Sequence, residues 1–393
     1  MHRLENVVQG YAWGSRTAIA ELLGVPSPSA EPQAEMWMGA HPAAPSRVAG
    51  RALPDLVAAE PETWLGGRVV ATFGPRLPFL LKVLAAAEPL SLQAHPTVPQ
   101  AEAGFAADEA AGIPIAARDR NYRDRNHKPE LLCALTPFAA LCGFRPVTRT
   151  LELLDALAVD ELGFLQRTLA TAPNADGVRR VFTALMEADE ATQQRLVAAT
   201  VAACQRIGSA FADEREWAVR LDAKYPGDIG VVSSLLLNLV RLAPGEAIYL
   251  PAGNLHAYLE GVGVEIMASS DNVLRGGLTP KHVNVPELLR ILDFAPLEPP
   301  RVTPRETDGG LVYPTPAREF QLGRLEIGED DWTTAPDGPE ILLCTEGELV
   351  ARTDGPDGTE EVPLPRGASL FVPAATERYV LGGRGTAFRA VVP

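Results

Sequence analysis

Six histidines occur in the chain, His2, His41, His95, His127, His256 and His282, and three of them sit in stretches whose neighbours could do chemistry. Ser91–Thr97 reads SLQAHPT and sets Gln93 two residues before His95, ahead of a proline. In an extended chain such residues face the same way. Asn126–Glu130 reads NHKPE, with His127 and Lys128 before a carboxylate that opens an apolar run. Pro251–Tyr258 reads PAGNLHAY and delivers His256 from a glycine turn onto a strand. Gln93, His95, Glu130 and His256 would make an N/O ligand set without thiolate, which suits zinc or another divalent first-row ion. A single carboxylate would leave the ion net positive, a Lewis acid with room for substrate oxygens. The blander occupant of a QxH pattern is a strand end with two hydrogen-bonded polar side chains. Periodicity does not decide whether separated strands bring the four residues together.

The elements that would position these residues are β-rich at both ends and helical between. Residues 1–98 alternate short apolar runs with Gly and Pro, the pattern of strands and loops, and residues 100–112 read as a helix. From about Val147 to Asp222, continuing beyond ATQQRLVAATVAACQRIGSAF, apolar residues recur at three and four, the signature of amphipathic helices. After Lys224 the strand pattern returns, beginning with VVSSLLLNLV. It is interrupted by one helix in TPKHVNVPELLRIL, and residues 303–393 are strands and turns. The expected organisation is a catalytic β domain in two parts (1–146 and 226–297), a helical domain (147–225) and a C-terminal β domain (298–393). GEAIYLPAGNLHAY from Gly245 and GASLFVPAATERYV from Gly367 echo each other, as turn and strand recur in jelly-rolls. His256 of the first copy falls against Arg378 of the second.

Composition narrows the function. The 393 residues, 46% hydrophobic and 22% charged, are enough for two or three domains of a soluble globular protein. A formal charge of −15 argues against nucleic acid as partner, and no apolar run is long enough for a membrane span. The N-terminus lacks the basic start and apolar core of a signal peptide. Cys133, Cys142, Cys204 and Cys344 have no CxxC spacing and read as buried thiols of a reducing compartment, the cytoplasm. Among the 35 basic residues only Lys82, Lys128, Lys224 and Lys281 are lysines. In a chain that favours arginine, a retained lysine hints that a compact ammonium is needed.

YAWGS (Tyr11–Ser15), EMWMGAHP (Glu35–Pro42), PFLLKVL, LSLQAHP, NYRDRNHKPEL, PAGNLHAYLEG and VEIMASSDNVLRGGLTPKH follow one another as in the type I mannose-6-phosphate isomerases, a zinc-dependent cupin family. The resemblance covers most of residues 5–290. The helical region matches in position more than in sequence, and the end of the chain resembles a degenerate cupin. One departure is Thr97–Val98 after the His-Pro, where the family often carries Asp or Asn and a lysine. The resemblance implies a mainly β fold with a cupin (jelly-roll) catalytic domain, a helical insertion and a second, degenerate cupin domain. It implies one Zn2+ per chain held by Gln93, His95, Glu130 and His256, with Arg275 as the active-site arginine.

The reaction so implied interconverts mannose 6-phosphate and fructose 6-phosphate, moving a proton between C1 and C2 through an enediol. It needs a proton carrier and stabilised oxygens. Glu265, Asp271 and His127 are the candidates for the carrier, Glu265 foremost. Lys128 would polarise a sugar hydroxyl. Arg275 and Lys281, around GGLTP, would bind the phosphate, and Lys82, Ser91, Trp13 and Tyr258 would complete the substrate pocket. The partner is then a small sugar phosphate, with no nucleic acid or membrane, and the chain is expected to be a monomer. The competing readings are an isomerase of another sugar phosphate, an iron oxygenase (disfavoured because QxH replaces HxH), or a metal-free sugar-binding cupin.

Overall fold

The computed structural model describes residues 1–206, 208, 210–307, 310–355 and 358–393. Its central unit is an antiparallel jelly-roll organised by one bent strand, His256–Ala268. The first half of that strand pairs with Phe138–Phe144 and, at His256, with Gln93. The second half pairs with Phe79–Ala86 on one side and Glu130–Ala134 on the other. The change of partner falls at Gly261, whose φ is +128° and where a Cβ would lie 2.6 Å from the Phe138 ring and 2.8 Å from the Pro137 carbonyl. Only glycine passes so close to another chain with that backbone.

Strand alternation then sorts the side chains. Leu81, Val83, Leu131, Cys133, Val264 and Ile266 face outward into a core shared with Tyr313, Phe320, Ile341, Leu343, Phe371 and Phe388 of the C-terminal sheet. Their neighbours Leu84, Leu132 and Tyr258 face inward, together with Phe138, Val240 and Ile248. The opposite sheet turns Leu141, Ala257 and Leu259 to the helical insertion. Each sheet is thus buried on both faces, which is why Phe79–Ala86 is apolar at almost every position. The helical insertion comprises Val147–Leu157, Gly163–Thr171, Ala175–Glu187, Glu190–Cys204 and Ala212–Lys224. Asn174 and Asp189 cap the third and fourth of these with their side-chain oxygens.

The C-terminal sheet repeats the jelly-roll motif, as the internal echo anticipates. Gly245 (φ +86°) and Gly367 (φ +80°) make equivalent turns into Ala247–Leu250 and Ser369–Val372. Each of these strands is followed by a long strand, His256–Ala268 or Tyr379–Val391.

Four local expectations need correction. Residues 1–98 are not only strands and loops: Ala18–Leu22, Leu53–Ala59, Pro61–Leu65 and Gly67–Phe73 are short helices. The Pro and Gly residues read as loop punctuation there act as helix starts and stops, with proline in the first turn of two of them. Gly230–Ser234 is helical although its sequence, GVVSS, is rich in β-branched residues. All five residues are buried and Asp228 Oδ1 accepts from Gly230 N at 2.7 Å, so packing overrides propensity. The helix expected in TPKHVNVPELLRIL is confined to Val285–Ile291, because Asn284 caps it and Pro286 follows in the first turn. The helix expected to run on toward Phe211 ends at Cys204, and residues 207 and 209 lie outside the described residues.

Candidate metal and substrate site

Three buried side chains converge where the two halves of the long strand meet their neighbours. His256 opens that strand, Glu130 opens the strand Glu130–Ala134, and His95 directly follows the short strand Gln93–Ala94. One donor atom from each lies within 4.8 Å of the others. The tautomers follow from the other ring nitrogens. His95 Nδ1 donates to the Asn272 carbonyl at 2.7 Å, and His256 Nδ1 donates to the Asn254 carbonyl at 3.0 Å. Both Nε2 atoms therefore present lone pairs toward Glu130, at 3.4 and 3.2 Å from its oxygens. His95 Nε2, His256 Nε2 and Glu130 Oε2 are buried without a hydrogen-bond partner. Three lone-pair atoms facing one another without a donor are what a cation would satisfy, and two imidazoles with a carboxylate are zinc's donor chemistry. Burial pushes His95 down to about 4, so its ring is neutral and free to ligate. Burial would raise Glu130, but Lys128 and the two imidazoles override it and hold the carboxyl well below its ordinary value. Gln93 pairs with both His256 and Arg275 across the strands, adjacent to this cluster.

Above the cluster opens a cavity of about 720 Å³, large enough for a hexose phosphate. Gln93, Glu130, Lys128, Lys82, Glu265, Tyr258, Ser91, Trp13, Asp271, Arg275 and Lys281 all line it, so nearly every residue anticipated for the site is gathered there. All four lysines of the chain line this one cavity, Lys224 included. His95 and His256 belong to the cluster beneath it, and His127 belongs to neither. Alternation puts Lys128 and Glu130 on one face, where Lys128 Nζ lies 2.7 Å from Glu130 Oε1. His127 falls on the other face, and its Nε2 donates to Glu319 at 2.7 Å. It is a tie to the C-terminal domain, and its expected role as proton carrier is withdrawn.

Two sets of charges divide the cavity wall. Inside, Lys82 Nζ lies 3.1 Å from Glu265 and 3.5 Å from Glu35, and Tyr258 Oη donates to Glu265 at 2.9 Å. Two carboxylates share one ammonium. Burial raises Glu265 above the ordinary carboxyl value, and Glu130 and Glu35 add to this against the pull of Lys82. Burial works the other way on Lys82, but the carboxylates win and hold it charged. At the rim, Arg275 and Lys281 are both lowered, first by burial and then by their cationic neighbours, with Arg123 acting on both. Among the described residues none of these three cations has a carboxylate partner, so they form a ready anion site. Asp271, also at the rim, is lowered chiefly by the hydrogen bond from His41, whose Nε2 lies 3.2 Å away.

Sequence reasoning missed Glu35, His41, Arg123 and Lys224 as cavity residues. Glu35 and His41 lie inside EMWMGAHP and Arg123 inside NYRDRNHKPEL, so the motif strings marked the segments without marking these members. Lys224 ends an insertion helix, where its contact with Glu88 depends on how the insertion docks. A more open hollow beside Tyr249 and Arg301, about 440 Å³, has no carboxylate or imidazole in its lining.

Comparison with known proteins bears on the same residues. The family profile described as "Phosphomannose isomerase type I, catalytic domain" matches residues 1–147, and that of the helical insertion domain matches residues 157–237. The mannose-6-phosphate isomerase of Escherichia coli (strain K12) is 40% identical over 395 residues, 98% of either chain. That of Homo sapiens is 36% identical over 405 residues, covering 94% of this chain and 93% of its own. A zinc-bound crystal structure of mannose 6-phosphate isomerase superposes with a TM-score of 0.92 at 38% identity, covering 100% of this chain and 99% of that one. A single-residue variant of the phosphomannose isomerase from Salmonella typhimurium gives a TM-score of 0.93 at 38% identity, with the same coverage.

Proposed function

The chain belongs to the type I phosphomannose isomerase family, and on that premise we propose how its own residues interconvert mannose 6-phosphate and fructose 6-phosphate. The reaction is a zinc-dependent aldose–ketose isomerisation. Gln93, His95, Glu130 and His256 hold the ion, which when bound supplies a Lewis acid for the substrate oxygens. The observation that carries this reading is the convergence of three buried, unpartnered lone-pair atoms beneath the polar cavity.

The phosphate enters against Arg123, Arg275 and Lys281, whose unneutralised charges are matched to a dianion. That fixes one end of the open-chain sugar at the rim and sends C1 and C2 toward the floor. Glu265 takes the C2 proton of the aldose and returns it to C1 of the enediol, while a proton moves between O1 and O2. Its raised affinity for a proton suits a group that must both accept and donate near neutral pH. Tyr258 and Lys82 hold its carboxylate in place. Lys128, tied to Glu130, donates to the oxygen on which negative charge grows. Asp271 has the opposite environment and stays ionised as a hydrogen-bond acceptor for a sugar hydroxyl. Trp13 and Ser91 wall the cavity beside Tyr258.

Among the described residues no helix is long and apolar enough to cross a membrane. Four buried free cysteines support a reducing, cytoplasmic setting, and a net charge of −15 argues against a nucleic-acid partner. Metal analysis coupled to turnover tests the whole reading. The purified protein should carry one zinc per chain and produce fructose 6-phosphate from mannose 6-phosphate, losing activity on chelation and recovering it with zinc. Zinc-loaded protein with no turnover would overturn the assignment of the substrate.

A further inference from the structure

Asn272 neither lines the cavity nor offers an atom to the metal cluster, yet it is fully buried and all of its polar groups are used. Its backbone carbonyl accepts from His95 Nδ1 at 2.7 Å. Its side-chain Oδ1 accepts from the backbone N–H of Arg123 at 2.7 Å and of Asp124 at 3.3 Å. Its Nδ2 donates to the carbonyls of Asp124 at 2.9 Å and Asn126 at 2.8 Å, and to the Asp124 carboxylate at 3.2 Å. The flanking residues bind the same loop: Ser270 Oγ donates to Asp124 Oδ1 at 2.9 Å, and Asp271 N donates to Asp124 Oδ2 at 2.8 Å.

We propose that Asn272 is a positioning residue that ties the loop bearing Arg123 to the backbone that orients His95, so that phosphate capture at the rim and metal ligation at the floor are built on one rigid element. The loop from Asn121 to Pro129 has no regular secondary structure to hold it. A buried amide with every donor and acceptor engaged supplies the rigidity that a strand would otherwise give. The two roles are separable within one residue. The carbonyl serves His95 and survives any side-chain substitution, whereas the amide serves the loop and is lost with the side chain.

This inference rests on the phosphate reading of Arg123, and the experiment keeps the two apart. In Asn272→Ala the zinc content should stay at the wild-type level, because the carbonyl to His95 remains. Affinity for inorganic phosphate, measured by calorimetry on the zinc-loaded protein, should fall by about tenfold or more, the size of one lost charge-assisted contact. The KM for mannose 6-phosphate should rise with it, and kcat should change far less. Arg123→Ala should weaken phosphate binding similarly, and the double variant should be no worse than either single one. If Arg123→Ala leaves phosphate affinity unchanged, the phosphate reading fails. If Arg123→Ala weakens it while Asn272→Ala does not, or if the two losses multiply, the positioning role is overturned. A drop in kcat and zinc content with unchanged KM would also overturn it, since that is the signature of general destabilisation. Should Asn272→Ala fail to fold, Asn272→Ser keeps a hydroxyl near the Arg123 amide and should give the same KM-over-kcat pattern at smaller amplitude.

Discussion

The catalytic jelly-roll and its C-terminal copy bury comparable groups and put them to opposite use. Each contains a carboxylate, a cation and a tyrosine in contact. In the C-terminal copy Arg389 Nε donates to Glu340 at 2.7 Å, a second guanidinium nitrogen reaches the other oxygen, and Tyr379 Oη donates at 2.6 Å. That cluster is complete: one fork on one carboxylate, with no buried side-chain polar atom lacking a partner among the described residues from Glu340 onward. In the catalytic copy Glu35 and Glu265 share Lys82, while the His95, Glu130 and His256 atoms face one another unpartnered. A closed network stabilises; an open one keeps capacity for an ion, a proton and a substrate. Identical architecture therefore does not carry the function, and the surplus of unmet bonds does.

The largest effect should come from emptying the open network. His256→Ala should lose zinc and lower turnover by about a thousandfold or more, while the thermal unfolding of the C-terminal copy persists. Glu265→Gln, which keeps shape but cannot carry a proton, should lower kcat by about a hundredfold to ten-thousandfold with zinc content unchanged. Equal loss of zinc and rate would erase the distinction between ligand and carrier. Cutting the closed network should act on stability alone. Arg389→Met leaves Glu340 buried without its cation, at a cost of about 3–5 kcal/mol in denaturant unfolding, with kcat nearly intact.

A pH profile sharpens the same contrast. Because burial and neighbouring carboxylates raise Glu265 above 4.5, the acid limb of kcat should lie above the ordinary carboxyl value. Lys82 favours the ionised carboxylate, so Lys82→Met should raise Glu265 further and move that limb up by about one unit. A limb that stays put in this variant would remove Glu265 as the titrating group. The smallest effect is expected from Arg378→His, which restores the imidazole of the echo at Gly367. Zinc should remain at one per chain, since no other His, Cys, Asp or Glu group capable of holding a metal occurs among the described residues.

Much of this was legible in the residues. The helical insertion was set by its three-and-four apolar spacing. The echo between Gly245 and Gly367 marked two jelly-rolls, and the motif strings contained the three residues of the buried cluster and most of the cavity wall. The scarcity of lysine proved informative too: all four lie on one cavity. The misreadings have a common cause. GVVSS has strand propensity, but burial of every residue at a tight junction makes it helical. His127 has the right chemistry, yet it stands one residue off the face that carries Lys128 and Glu130.

Residue types and spacing by themselves determined which elements form and which side chains share a strand face, because alternation and helical period are local properties. They also supplied the zinc-type donor set, by offering imidazole, amide and carboxylate without thiolate. Only the tertiary structure decided that the two imidazoles and the carboxylate meet, through a strand that changes sheets at a glycine no other residue could replace. It alone joined Glu35 to Glu265 through Lys82, and tied Arg123 to His95 through Asn272. Those contacts span tens to hundreds of residues in sequence, and no local periodicity encodes them.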